Sequence, residues 1–197
     1  MRRYLTFIKK HFYIKKRAFI LSALIFSFIF LTFSCVFSSQ NIRVIKDQEY
    51  FPLLKETIKQ AKSSIKVIAF EMGYYPEYPL SPSNILIQNL IAARKRGVDV
   101  RVILEKSEWN KKVTEKNRLA GKVLSRGKVK VRYDPPHITT HAKLVIIDSK
   151  IAILGSNNWT YYSLSQNKEL ALLVEVTSVV KELEEYFNSL WEESTPR

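Results

Sequence analysis

The chain has 197 residues, with 32 Lys and Arg against 18 Asp and Glu, a formal net charge of +14. Its 46% apolar content, 12% aromatics and only 5 Gly and 7 Pro exclude collagen-like, proline-rich and largely disordered chains and leave one able to bury a core. A single Cys, Cys35, forms no disulfide within the chain. With three His (His11, His137 and His141), a four-ligand Cys/His zinc cage is out of reach, and the residues call for no metal or other cofactor.

Residues 1–17, MRRYLTFIKKHFYIKKR, hold seven basic groups (Arg2, Arg3, Lys9, Lys10, Lys15, Lys16, Arg17) and no acid. An uncharged apolar run follows over residues 18–37, AFILSALIFSFIFLTFSCVF. At a rise of about 1.5 Å per residue, a run of this length crosses a hydrocarbon core of about 30 Å. The expectation is a basic cytoplasmic tip over 1–17 and a transmembrane signal anchor over 18–38, because positive flanks stay inside. The rest of the chain is then extracytoplasmic, in a periplasm or at a cell surface. If the apolar segment is instead a removable signal peptide, the product is secreted.

Beyond it, residues 41–45 read as a short strand. Residues 48–62 read as an amphipathic helix with Phe51, Leu54, Ile58 and Ala61 on one face. Residues 65–70 form the next strand. The stretch YYPEYPLSPS carries Pro76, Pro79 and Pro82 and forms a loop. Ser83 is placed to cap a helix through Leu86, Leu90 and Ala93 that stops at Gly97, with Arg94, Lys95 and Arg96 in its last turn. Residues 98–104 are a strand, 110–126 a basic helix stopped by Gly127, and 129–133 another strand. After the Asp134-Pro135-Pro136 break, apolar runs at 143–147 and 151–154 are joined by Asp148-Ser149-Lys150. A last strand spans 169–176, and Thr177 is placed to cap a final helix with Val180, Leu183, Phe187 and Leu190 on one face. Strands alternating with helices predict an α/β domain over residues 41–194, a mixed β-sheet flanked by helices.

The chemistry-bearing stretch is His141-Ala142-Lys143-Leu144-Val145-Ile146-Ile147-Asp148, followed by Gly155-Ser156-Asn157-Asn158. Residues two apart on a strand share a face, so His141 and Lys143 project together while Ala142 and Leu144 turn toward packing. Gly155 permits a close turn that brings the Ser156 hydroxyl and the Asn158 amide to the same anion. Asp148 has the opposite parity to His141 and sits at a turn, which gives it a structural hydrogen-bonding role. His137, between Pro136 and Ile138, reads as a solvated histidine.

HxKxxxxD followed by GSxN resembles the signature of the phospholipase D superfamily, the HKD phosphodiesterases. Glu169, thirteen residues after Ser156, falls where the small bacterial nucleases of that family carry a glutamate. SSIKVIAFEM and AARKRGVDVRVIL are similar to the family's first strand, helix and second strand. The resemblance implies a phospholipase D-like fold and a phosphohistidine mechanism in which one His attacks phosphorus and a second protonates the leaving oxygen. It also implies a homodimer, since this chain has one HKD motif and each copy would contribute His141, Lys143, Ser156 and Asn158, with Glu169 orienting an imidazole.

A window of ten basic residues, 106–132, faces only Glu108 and Glu115, so the domain's excess charge reads as one patch just before the motif. Lys111, Lys112, Lys116 and Arg118 are the candidate phosphate contacts, and Trp159 a candidate stacking residue at the site mouth. The leading expectation is a metal-independent endonuclease acting on DNA or RNA. The alternative is a phospholipase D acting on phospholipid head groups, which the membrane segment at 18–38 would hold near its substrate. A binding module with a decayed site is a third reading, which the complete His, Lys, Ser, Asn and Glu set opposes.

Overall fold

The computed structural model describes residues 41–196. The expected basic tip at 1–17 and membrane segment at 18–38 lie outside the described residues. Among the described residues, no helix is long and apolar enough to cross a membrane.

Among the described residues there are eight strands, β1 (Ile42–Lys46), β2 (Ser64–Ala69), β3 (Asp99–Leu104), β4 (Lys130–Tyr133), β5 (Leu144–Ile147), β6 (Ile151–Gly155), β7 (Leu170–Val174) and β8 (Thr195–Pro196). The helices are α1 (Tyr50–Gln60), α2 (Pro82–Lys95), α3 (Lys111–Arg126), α4 (Tyr161–Ser165) and α5 (Thr177–Glu193). One mixed sheet has the order β1-β7-β6-β5-β2-β3-β4-β8. Its centre is two parallel crossovers, β2 to β3 through α2 and β3 to β4 through α3, and the antiparallel β5–β6 hairpin adds to β2. The mixed α/β sheet read from the alternation of elements is the observed architecture.

Burial explains the layers. On one face, Leu54 and Ile58 of α1, Leu86, Ile87 and Leu90 of α2, and Ala120 and Leu124 of α3 pack against Val67, Val100, Val102 and Val145. On the other, α5 alone covers the sheet, setting Val180, Phe187 and Trp191 against Ile68, Ile103, Leu144, Ile146, Ala152 and Val174. Three helices cover one face but a single helix covers the other, so the β1–β7 edge keeps apolar side chains open. Val44 is 52% exposed and Leu170 61%.

Two capping expectations shift by a few residues. The cap of α2 is Ser81, which accepts from the Asn84 amide, because Pro82 occupies the first helical position, where its missing N–H is no loss. Ser83 is instead buried, its hydroxyl donating to the carbonyl of Trp159. Thr177 is the first residue of α5 rather than its cap, and Val176 holds the cap position with no side-chain bond.

The β5–β6 turn, Asp148-Ser149-Lys150 between the paired Ile147 and Ile151, has Asp148 and Ser149 both at positive φ (54° and 53°). The Asp148 carboxylate then accepts from the amides of Lys62, Ser63 and Ser64 and from the Ser63 hydroxyl, tying the hairpin to the start of β2. Burial alone would raise its pKa, but these bonds outweigh burial and hold it below the ordinary aspartate value.

Candidate active site

His141 and Lys143 stand immediately before β5, which begins at Leu144. The Lys143 amine lies 3.2 Å from each ring nitrogen of His141 and donates to the His141 carbonyl at 2.6 Å. The antiparallel β2–β5 register, Ile68 opposite Leu144, continues to set Phe70 opposite Ala142, between the two. The Phe70 ring packs at 4.4 Å from the imidazole centroid and 4.8 Å from the Lys143 amine. One aromatic side chain thus floors both groups.

Gly155 ends β6 where the chain crosses closest to β7. A Cβ there would stand 2.3 Å from the Leu170 carbonyl oxygen, so only glycine fits without moving the strand. The turn that follows places Ser156 and Asn158 with His141 and Lys143 around one cavity of about 940 Å³. Val44, Leu154, Leu170 and Leu172 form its apolar wall. The Asn158 side-chain oxygen makes no hydrogen bond among the described residues. Glu169 accepts from the hydroxyls of Ser156 and Ser163, and no hydrogen bond joins it to His141 among the described residues. Within one copy, Glu169 therefore fixes the Ser156 turn rather than the imidazole.

Electrostatics favour a neutral imidazole beside a cation. Burial, and then the Lys143 charge, lower the His141 pKa below its ordinary value, which favours the uncharged ring within one copy. Burial also lowers Lys143, with the charges of Glu169 and Glu71 pulling it back up. A neutral ring nitrogen next to an ammonium suits attack on a phosphorus whose oxygens need compensating charge.

Comparison with known proteins identifies the family. A family profile described as "Cardiolipin synthase, PLD-like domain" matches residues 54–191, which contain every site residue named above except Val44. The chain belongs to the phospholipase D-like family. It is 34% identical over 116 residues to a mitochondrial cardiolipin hydrolase of Xenopus laevis, covering 59% of this chain and 52% of that protein. It is 33% identical over 107 residues to a phospholipase D of Rickettsia bellii, covering 54% and 50%. The chain thus spans about half the length of the curated relatives it matches. Among solved structures, the phospholipase D family member Nuc from Salmonella typhimurium superimposes with a TM-score of 0.67 at 22% identity, covering 80% of this chain and 97% of that one. NucT from Helicobacter pylori gives 0.63 at 19% identity, covering 80% and 100%. At these identities the two structures speak for the fold.

In this phospholipase D-like domain, the basic residues divide. Lys111, Lys112, Lys116 and Arg118 are all exposed on the first half of α3, and Lys116 pairs with Glu71, the neighbour of Phe70, at 2.5 Å. Lys130, by contrast, pairs with Asp99 at the start of β3, and Arg132 lies over the Trp191 ring. The window read as one patch is therefore split between the two ends of the sheet, because α3 runs the length of the strands.

Trp159 does not line the site mouth. It is 2% exposed, its side chain hydrogen-bonds the buried Tyr50, and its backbone pairs with Met72 and Glu71, so it is core and cannot stack on a substrate. The sequence reading also passed over Phe70 and Glu71, which strand parity across β2 and β5 could have placed. It passed over a carboxyl pair as well: Glu105, after β3, and Asp134, after β4, are each 1% exposed and converge behind Thr140.

Proposed function

We propose that the protein is a metal-independent phosphodiester hydrolase that cuts nucleic acid as an endonuclease, with one active site shared between two copies of the chain. The reading rests on one observation. His141, Lys143, Ser156 and Asn158 surround a single cavity whose floor, Phe70, adjoins the Glu71–Lys116 link to the basic start of α3. A polyanion lying along Lys111, Lys112 and Arg118 leads to His141.

In this mechanism a neutral His141 attacks phosphorus, and the P–O bond to the leaving group breaks as the N–P bond forms. Of the two rings one enters neutral and the other protonated: the His141 of the second copy, as the imidazolium, gives its extra proton to the departing oxygen. It then takes a proton from water, whose hydroxide attacks phosphorus and releases the first His141. The Lys143 ammonium groups and Asn158 amides offset charge on the non-bridging oxygens. A symmetric contact brings each His141 near its own counterpart, and the open apolar edge at Val44, Leu170 and Leu172 is the surface we assign to that contact. Anchoring through residues 18–38, with domain 41–194 extracytoplasmic, completes the proposal and rests on the seven basic groups that precede the apolar run.

A second reading, hydrolysis of phospholipid head groups, is favoured by the apolar wall beside Lys143 and by the cardiolipin hydrolase and phospholipase D names of the relatives. In that reading the wall stays open to acyl chains instead of closing against a second copy. The test sets plasmid DNA, RNA and phospholipid vesicles before the full chain in excess EDTA. Nucleic acid cleavage lost in His141→Ala is the expected result. Inhibition by EDTA removes the metal-free mechanism, and lipid turnover without nuclease activity promotes the second reading. No turnover of any substrate leaves a binding module, and a monomeric active species by sedimentation removes the shared site.

A further inference from the structure

Among the described residues, no carboxylate hydrogen-bonds the imidazole of His141, whose contacts are with Phe70 and Lys143. Its place depends on how the preceding backbone is held. That backbone is held by an unusual device. The Thr140 amide donates to Glu105 Oε2 at 2.7 Å and to Asp134 Oδ2 at 3.1 Å, one N–H between two buried carboxyls. Asp134 Oδ1 also takes the Lys106 amide at 2.6 Å. The carboxyls sit at the ends of neighbouring parallel strands, and Asn117 of α3 fixes the arrangement by donating to the carbonyls of both Glu105 and Phe70. The acids are thereby tied to the residue that floors the imidazole.

Among the described residues, no Lys, Arg or His forms an ion pair with either acid. From every element packed against Glu105, the groups that act on it are the Asp134 carboxyl and the Thr140 amide. Two carboxylates facing each other without a cation do not both ionise readily. Burial, and then the neighbouring Asp134 carboxyl, push Glu105 up to about 8 against the pull of the Thr140 amide, and its second oxygen, Oε1, makes no hydrogen bond among the described residues.

We propose that Glu105 and Asp134 are positioning residues for the His141 site: they share one proton, and that singly protonated pair clamps the Thr140 amide and so sets the approach of His141 to phosphorus. Loss of the shared proton leaves two charges on one amide, and their repulsion slackens the Thr140–His141 backbone. The proposal rests on phosphodiester hydrolysis at His141.

Glu105→Gln separates this role from plain packing. The glutamine keeps an acceptor for Thr140 and offers its NH₂ to Asp134, imitating the protonated pair at every pH. In the full chain, kcat of the native protein should fall about tenfold per pH unit once the pair ionises, with KM little changed, whereas Glu105→Gln should hold kcat within about twofold from pH 7 to 9. Glu105→Ala, which removes the acceptor, should lower kcat at every pH, so that Gln rescues what Ala loses. An alkaline limb that is the same in the native protein and Glu105→Gln overturns the proposal, since ionisation of Lys143 would give that result. If Glu105→Gln fails to fold, the native chain alone carries the test, since a Thr140 amide resonance that does not shift near pH 8 overturns the proposal. A second readout does not depend on turnover. The Thr140 amide and His141 ring resonances should titrate together near pH 8 in the native chain and stay still in Glu105→Gln. Resonances that titrate in a chain with no turnover sink the hydrolase reading and keep the clamp, while turnover with static resonances sinks the clamp alone.

Discussion

At one end of β5 the Asp148 carboxylate accepts from three backbone amides and a hydroxyl and is held below its ordinary pKa, whereas at the other end Glu105 and Asp134 compete for the Thr140 amide and Glu105 is pushed up to about 8. Burial opposes ionisation at both ends. What differs is the number of donors per carboxyl: several for one acid at the hairpin end, and two amides, one of them shared, for two acids at the His141 end. A carboxyl well supplied with donors is a fixed anchor, and one that shares its donor is poised to titrate. The same strand therefore has a structural end and a chemical end.

The sharpest way to break this division is to remove one group from each. Under the proposed function, Lys143→Ala takes away the cation assigned to the substrate phosphate and leaves the core untouched, so kcat/KM should fall about 10³-fold while the thermal midpoint stays put. Asp148→Ala should do the reverse. Three amides and a hydroxyl lose their acceptor, and stability by urea denaturation should drop by about 2 kcal/mol, with activity per folded molecule retained. A large loss of specific activity in Asp148→Ala would show that the hairpin end belongs to the chemistry.

The opposite pKa shifts give opposite pH dependences of stability. Asp148, lowered, contributes stability that is present above its unfolded value of 3.8 and is lost as pH falls through the lower folded value. Glu105, raised, holds a proton in the folded chain where the unfolded chain has released it. Its stabilising contribution is complete below 4.5 and is lost as pH rises to about 8. Unfolding midpoints followed from pH 3 to 9 should therefore lose their acid-side slope in Asp148→Ala and their decline between 4.5 and about 8 in Glu105→Gln. Equal slopes in all three proteins would mean that the two ends do not differ as described.

Much of the structural end was legible in the sequence, and part of the chemical end was not. The strands and long helices followed from local periodicity, and the turn role of Asp148 from strand parity. His141 and Lys143 were found because a two-residue spacing is a local signal. Glu105 and Asp134, far apart along the chain, meet only because β3 and β4 run parallel and end together, and nothing near either residue announces the other. Trp159 was misplaced because the GSNN turn suggested exposure, while its burial depends on Tyr50 and Met72, more than eighty residues earlier. The five-residue α4 and the two-residue β8 are too short to carry a periodic pattern.

The smallest expected effect carries the same division into α3. Its sixteen residues extend about 24 Å, from Lys111 at the His141 end to Arg126 at the Asp148 end. Lys111 and Lys112 form no ion pair among the described residues, whereas Lys116 is occupied by Glu71. Under the nucleic-acid reading, each exposed cation touching a phosphate adds about 0.7 to 0.9 to the slope of log affinity against log salt. Binding of a single-stranded oligonucleotide to His141→Ala, titrated with salt, should lose about one such step for Lys111→Ala and again for Lys112→Ala. Lys122→Ala and Arg126→Ala, nearer the far end, should leave the slope alone. Lys116→Ala should cost more affinity than its single charge implies, because the Glu71 carboxylate it leaves unpaired stands next to Phe70 and repels the phosphate approaching His141. A slope that responds equally to all five substitutions would mean that the polyanion runs along the whole helix and that the chemical end has no preferred approach.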